Sequence, residues 1–108
     1  MKTILSEPQG RVLRALNRVI AASPGLDRQL PSVLVESIDT VDWASLTFAG
    51  QRHRMTVMVS GMTVAEVPSL AALDLGTTIV AEARVASAIA VGTGVELIIE
   101  VMTIDTRL

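Results

Sequence analysis

At residue 33 the spacing of apolar side chains changes from every third or fourth position to every second. That switch constrains the fold more than any other feature of the chain. A helix brings residues i, i+3, i+4 and i+7 onto one face, whereas a strand alternates faces residue by residue. The 108-residue chain therefore reads as one helix followed by β structure, in a single domain covering residues 1–108.

Before the switch, Val12, Leu13, Leu16, Val19 and Ile20 form an apolar stripe, with Arg11, Arg14 and Arg18 on the opposite side. Ser6 and Gln9 have capping-box spacing, and Pro8 falls in the first turn, where its missing N–H has no helical partner to lose. Ser23, Pro24 and Gly25 predict the end of a helix of about 16 residues. A helix of that length is marginal in water by itself, so its stripe needs a surface to cover.

Alternation supplies that surface. It predicts strands over 33–40, where Val33, Val35 and Ser37 face away from Leu34, Glu36, Ile38 and Thr40, and over 43–48 and 53–59, with a glycine-containing turn at 49–52 making the last two a hairpin. The pattern breaks at 60–76. Thr63 and Glu66 repeat the capping-box spacing there, and Pro68 restricts any helix to a short one over 68–73. Strands over 77–89 and 95–106, joined at 91–94 through Gly92, Thr93 and Gly94, close the chain. The fold class is α+β: an N-terminal amphipathic helix packed on an antiparallel β-sheet, in the order α-β-β-β-(short α)-β-β.

In the last strand Val95, Leu97, Ile99 and Val101 point one way, with Glu96, Ile98, Glu100 and Met102 on the other. Ile98, Met102 and Ile104, together with Met58 and Trp43, thus fall on the nominally solvated side. A second apolar face on a sheet with little helix to cover it points either to cover by a loop or the short helix, or to self-association as a homodimer through Met58, Ile98, Met102 and Ile104.

Composition narrows the function further. Half of the residues are hydrophobic, which excludes a disordered polymer. The absence of cysteine removes disulfides, thiolate metal sites and cysteine nucleophiles. One histidine, His53, is too few for a histidine metal cluster, and the carboxylates show no metal-loop spacing. Lys2, Arg11, Arg14, Arg18 and Arg28 against Glu7 and Asp27 make a basic head on an acidic body, an arrangement suited to attraction within the fold or between copies. With a net charge of -2 and only Trp43 and Phe48 as aromatics, the chain lacks both the footprint and the stacking platform of a nucleic-acid binder. No apolar run reaches the length of a membrane helix or a signal-peptide core, so a cytoplasmic location is expected.

The chemistry-bearing residues cluster around 39–54. Arg52, His53 and Arg54 offer a site for a small anionic ligand, since guanidinium groups grip carboxylates and phosphates. A catalytic His53 would further need Asp39 or Asp42 to orient it and Ser45 as nucleophile. His53 is also in phase with Met55, Val57 and Val59, as expected of a histidine half-buried at a strand end. The leading expectation is a non-enzymatic interaction module without cofactor or metal; an anionic-ligand site at 52–54 is the alternative.

The segment WASLTFAGQRHRM (43–55), with GTTIVAEARV (76–85) and LIIEVMTID (97–105), resembles a group of short uncharacterised proteobacterial proteins. The resemblance implies the same order of strands and helices, and no activity or functional residue. Pro68 departs from it, standing where that group looks helical.

Overall fold

The computed structural model describes residues 5–22, 33–71, 73–76 and 78–107. Helix α1, Glu7–Ala21, begins at Ser6 with both halves of the capping box in place. The Ser6 hydroxyl accepts from the Gln9 backbone N–H at 3.2 Å, and the Gln9 side-chain oxygen accepts from the Ser6 N–H at 3.0 Å. Val12, Leu13, Ala15, Leu16 and Ile20 are buried along one side, while Arg14 and Arg18 are exposed on the other. The helix stop expected at Ser23, Pro24 and Gly25 lies outside the described residues.

Four strands follow: β1 Val33–Ala44, β2 Phe48–Ser60, β3 Ile79–Val91 and β4 Gly94–Arg107. They form one antiparallel sheet in the order β1-β2-β4-β3, so β1 and β3 are its edges. The fold is α+β, with a helix on an antiparallel sheet. The sheet nevertheless has one strand fewer than alternation suggested, because the first two expected strands merge into β1. Val41 and Asp42 do not interrupt it; they pair with Arg52 and Gln51. The turn sits at 45–47, where the Ser45 hydroxyl accepts from the N–H groups of Thr47 and Phe48, a local side-chain substitute for a backbone turn bond. Residues 49–52, expected to be that turn, lie inside β2.

Gly50 explains why a glycine occupies the interior of a strand. A Cβ there would fall on the Thr103 carbonyl oxygen of β4. The indole of Trp43, directly across from Gly50 on β1, donates its N–H to that same oxygen at 3.2 Å. Bulky aromatic and bare backbone fit together where two side chains of ordinary size would not.

Irregular pairing sets which way side chains point. The register slips at Glu36 in β1, at Ala81 and Ala86 in β3, and at Asp105 in β4. Each slip is an extra residue opposite a regular partner strand, and each resets the alternation. Because of the first, Ile38 and Thr40 join Val33 and Val35 on the helix side instead of opposing them.

The core lies between α1 and the sheet, built from the helix stripe with Met55, Val57, Val59, Val95, Leu97, Ile99 and Val101. Met62, Leu70, Leu73 and Leu75, from the connection between β2 and β3, complete it. The expected helix over 68–73 is absent among the described residues. A single 3-10 turn, Val64–Glu66, forms instead, with the Glu66 carboxylate accepting from both the N–H and the hydroxyl of Thr63. Val67 then adopts an extended conformation with ψ 121, the geometry that a following proline imposes. Among the described residues no helix is long and apolar enough to cross a membrane.

Candidate functional site

The three residues expected to form one anion site are divided by the sheet. Arg52 and Arg54 are exposed on the open side, away from α1, and His53 is 0% exposed on the covered side. Because 52–54 are in strand and not in a turn, alternation separates them by the thickness of the sheet. They cannot hold a common ligand in this conformation.

Beneath the first turn of α1, His53 belongs to a polar group that interrupts the core. Its Nδ1 is 2.9 Å from the Thr40 hydroxyl, and that oxygen also accepts from the Gln9 side-chain amide at 2.8 Å. Gln51 and Thr103 continue the polar region on β2 and β4, where the Thr103 hydroxyl donates to the Gln51 carbonyl at 3.4 Å. Arg11 reaches the Thr78 hydroxyl at 3.0 Å. Among the described residues the buried side-chain atoms without a hydrogen-bond partner are Arg11 Nε, Gln51 Oε1 and His53 Nε2. Burial pushes the His53 imidazole below its ordinary value of 6.5, and the charge of Asp105, the bulged residue of β4, works the other way.

This cluster does not assemble a catalytic set. The position beside His53 Nδ1 is occupied by Thr40, not a carboxylate. Asp39 faces Arg54 across the strands on the opposite side of the sheet, and Asp42 accepts from the Gln51 amide at 3.3 Å. Ser45 is engaged in its own turn. The cleft between Pro8, Arg11, Thr78, Thr103 and Asp105 measures about 10 Å³, room for one water and no organic ligand. Among the described residues no cluster of histidine and carboxylate side chains is arranged to hold a metal.

On the open side, Asp39, Arg54, Glu100 and Arg84 stand in register across all four strands, alternating in sign. Arg54 approaches Glu100 at 3.4 Å, Arg84 also binds Glu100, and Glu82 lies 3.6 Å from Arg84. A shallow basin of about 270 Å³ beside this row is lined by Arg52, Arg84, Glu82, Glu100 and Met102. Its two guanidinium groups face two carboxylates, so an incoming anion gains little net attraction. Arg52 itself contacts the Met102 sulfur at 3.9 Å. Further along the face, the neighbouring Glu96 carboxyl, chiefly through hydrogen bonding and also through its charge, holds the exposed Glu36 carboxyl above its ordinary 4.5.

Met58, Ile98, Met102 and Ile104, the residues expected on the uncovered face, are all there and all partly exposed. They flank the ionic row. Leu34, Val41, Ile79 and Ile89 extend the apolar surface onto the edge strands.

Sequence reasoning grouped Gln51 with His53 in the 39–54 cluster but missed Gln9, Thr40, Thr103 and Asp105 as its companions. A signal existed for Thr103, a polar residue in phase with the apolar Val101. The role of Gln9 was hidden because its capping function already accounted for it, and Thr40 was placed on the wrong face by the unseen bulge at Glu36. No protein-family model, no curated protein and no solved structure matches this chain.

Proposed function

We propose that the chain is a non-enzymatic interaction module of the cytoplasm that works by self-association through the open face of its sheet. The observation that carries this reading is the uncovered surface centred on Met58, Ile98, Met102 and Ile104 and continued by Leu34, Ile79 and Ile89 on the edge strands. Apolar area left uncovered on both sides of the ionic row is the usual material of an interface. The ionic row through its middle adds specificity: a partner must match its alternating signs or leave desolvated charges unpaired. The covered side argues for the same conclusion from the opposite direction, since its titratable group, His53, is sealed from substrate.

Native mass spectrometry at increasing protein concentration tests the proposal. The wild-type chain is expected as a dimer without added mass, and Ile98→Asp is expected to weaken association at least about tenfold, since burying a carboxylate in an apolar contact costs well over the 1.4 kcal/mol that corresponds to that factor. A monomer at all concentrations, or a bound mass lost on denaturation, overturns it.

A further inference from the structure

The two edges of the sheet are defended unequally. β1 presents Glu36, Asp39 and Asp42 as exposed carboxylates, which discourage another strand from pairing with it. β3 reads IVAEARVASAIAV, without proline or lysine, and its only charges are Glu82 and Arg84. Ile79 and Ile89 are 60% and 55% exposed. Among the described residues β3 pairs only with β4, so its outer side carries backbone N–H and C=O groups that no neighbouring strand takes up. A groove of about 410 Å³ runs along it, between 67–71 and the residues Ala83, Arg84 and Val85.

We propose that β3 is an interaction edge whose occupant is β3 of a second copy, paired antiparallel with Ala83 opposite Ala83. This rests on the self-association reading and adds a second contact, at the edge, to the face described above.

Charge selects both occupant and register. Directly opposed residues of an antiparallel pair point to the same face. Centring the pairing on Glu82 or on Arg84 sets like charges against each other. Centring it on Val85 leaves both charges facing alanine. With Ala83 on the axis, Glu82 of each copy opposes Arg84 of the other, giving two cross-strand ion pairs from one twofold operation. The bulges at Ala81 and Ala86 lie on either side of the regular residues 82–84 at the centre of this seam. The small side chain of Ala83 leaves the groove beside it open to the incoming strand. A twofold axis perpendicular to the sheet then joins two four-stranded sheets into one of eight, with both helices on one side and both open faces on the other.

The test uses the intact chain and reads dimer dissociation by sedimentation or native mass spectrometry at low salt. Glu82→Arg and Arg84→Glu should each weaken the dimer at least about tenfold, because each places like charges opposite one another twice. The double variant should restore it. Ala83→Cys, in a chain that otherwise has no cysteine, should form a covalent dimer under mild oxidation, whereas Ser87→Cys should not. Circular dichroism checks that each variant folds; both charged side chains are 60% exposed and outside the core. Loss in both single variants with recovery in the double supports the edge and its register. Loss without recovery, or a dimeric Ala83→Cys variant that does not cross-link, overturns the register. A dimer indifferent to both reversals and abolished by Ile98→Asp overturns the edge and leaves the face reading standing. A monomer throughout overturns both.

Discussion

Ile98 and Ile99 are adjacent in β4, yet they live in different solvents. Ile99 is 1% exposed in the core, and Ile98 stands partly exposed on the open side. The same contrast runs along the whole sheet. Its covered side is apolar except for the cluster around His53, and its open side sets apolar patches around a row of ions. Two surfaces of the same four strands therefore answer to different demands. The covered side supplies the burial that makes the chain fold, and the open side keeps apolar area that folding of one copy leaves unused.

The largest expected effect separates the two sides directly. Ile99→Ala removes buried volume and should cost about 2–5 kcal/mol in urea or thermal unfolding. Ile98→Ala, one residue away, should cost clearly less when measured on monomer, about 1 kcal/mol, since part of its surface never leaves water. Equal losses would mean that the open face is covered within a single copy.

A smaller effect sharpens the contrast through pH. Imidazole in the unfolded chain takes up a proton near 6.5, whereas burial lowers the value for His53 in the folded state. The unfolded state therefore binds more protons as pH falls below 6.5, and folding stability drops across the interval between the two values. Above 6.5 that contribution is fully present. His53→Gln should flatten this part of the stability profile, measured by urea unfolding between about pH 7.5 and 5. A profile unchanged by the substitution would show that the imidazole is not held away from solvent.

The smallest effect belongs to the open side. Glu100→Gln discharges the central carboxylate of the ionic row while keeping its shape. Its two partners, Arg54 and Arg84, have side chains 59% and 60% exposed, so water screens the pairs and the loss should stay below about 1 kcal/mol and shrink with added salt. A larger, salt-insensitive loss would place the row in a drier environment than a single copy provides.

How much of this was legible in sequence depended on how far each signal reaches. The capping box at Ser6 and Gln9 and the stripe from Val12 to Ile20 are local, and the helix formed where they indicated. Alternation is local too, which is why Met58, Ile98, Met102 and Ile104 fell on the expected side. Long-range pairing decided the rest. Only Gln51 and Arg52 across the ladder tell that Val41 and Asp42 continue a strand, and only the Thr103 backbone tells that Gly50 is not a turn residue. The bulge at Glu36 inverted the expected direction of Ile38 and Thr40, and with it the surroundings of His53. Pro68 signals a limit on the second helix, but its effect falls one residue earlier, where it straightens Val67.

One consequence of the helix cap reaches into the core. The Ser6 backbone N–H can only donate, so it fixes which end of the Gln9 amide is oxygen; the nitrogen end is thereby committed to donate to Thr40. With one lone pair of the hydroxyl taken, Thr40 has its proton and its other lone pair left for His53 Nδ1, 2.9 Å away. The orientation of a single peptide group at the start of α1 is thus tied to the chain's only histidine through two side chains, Gln9 and Thr40, without touching it.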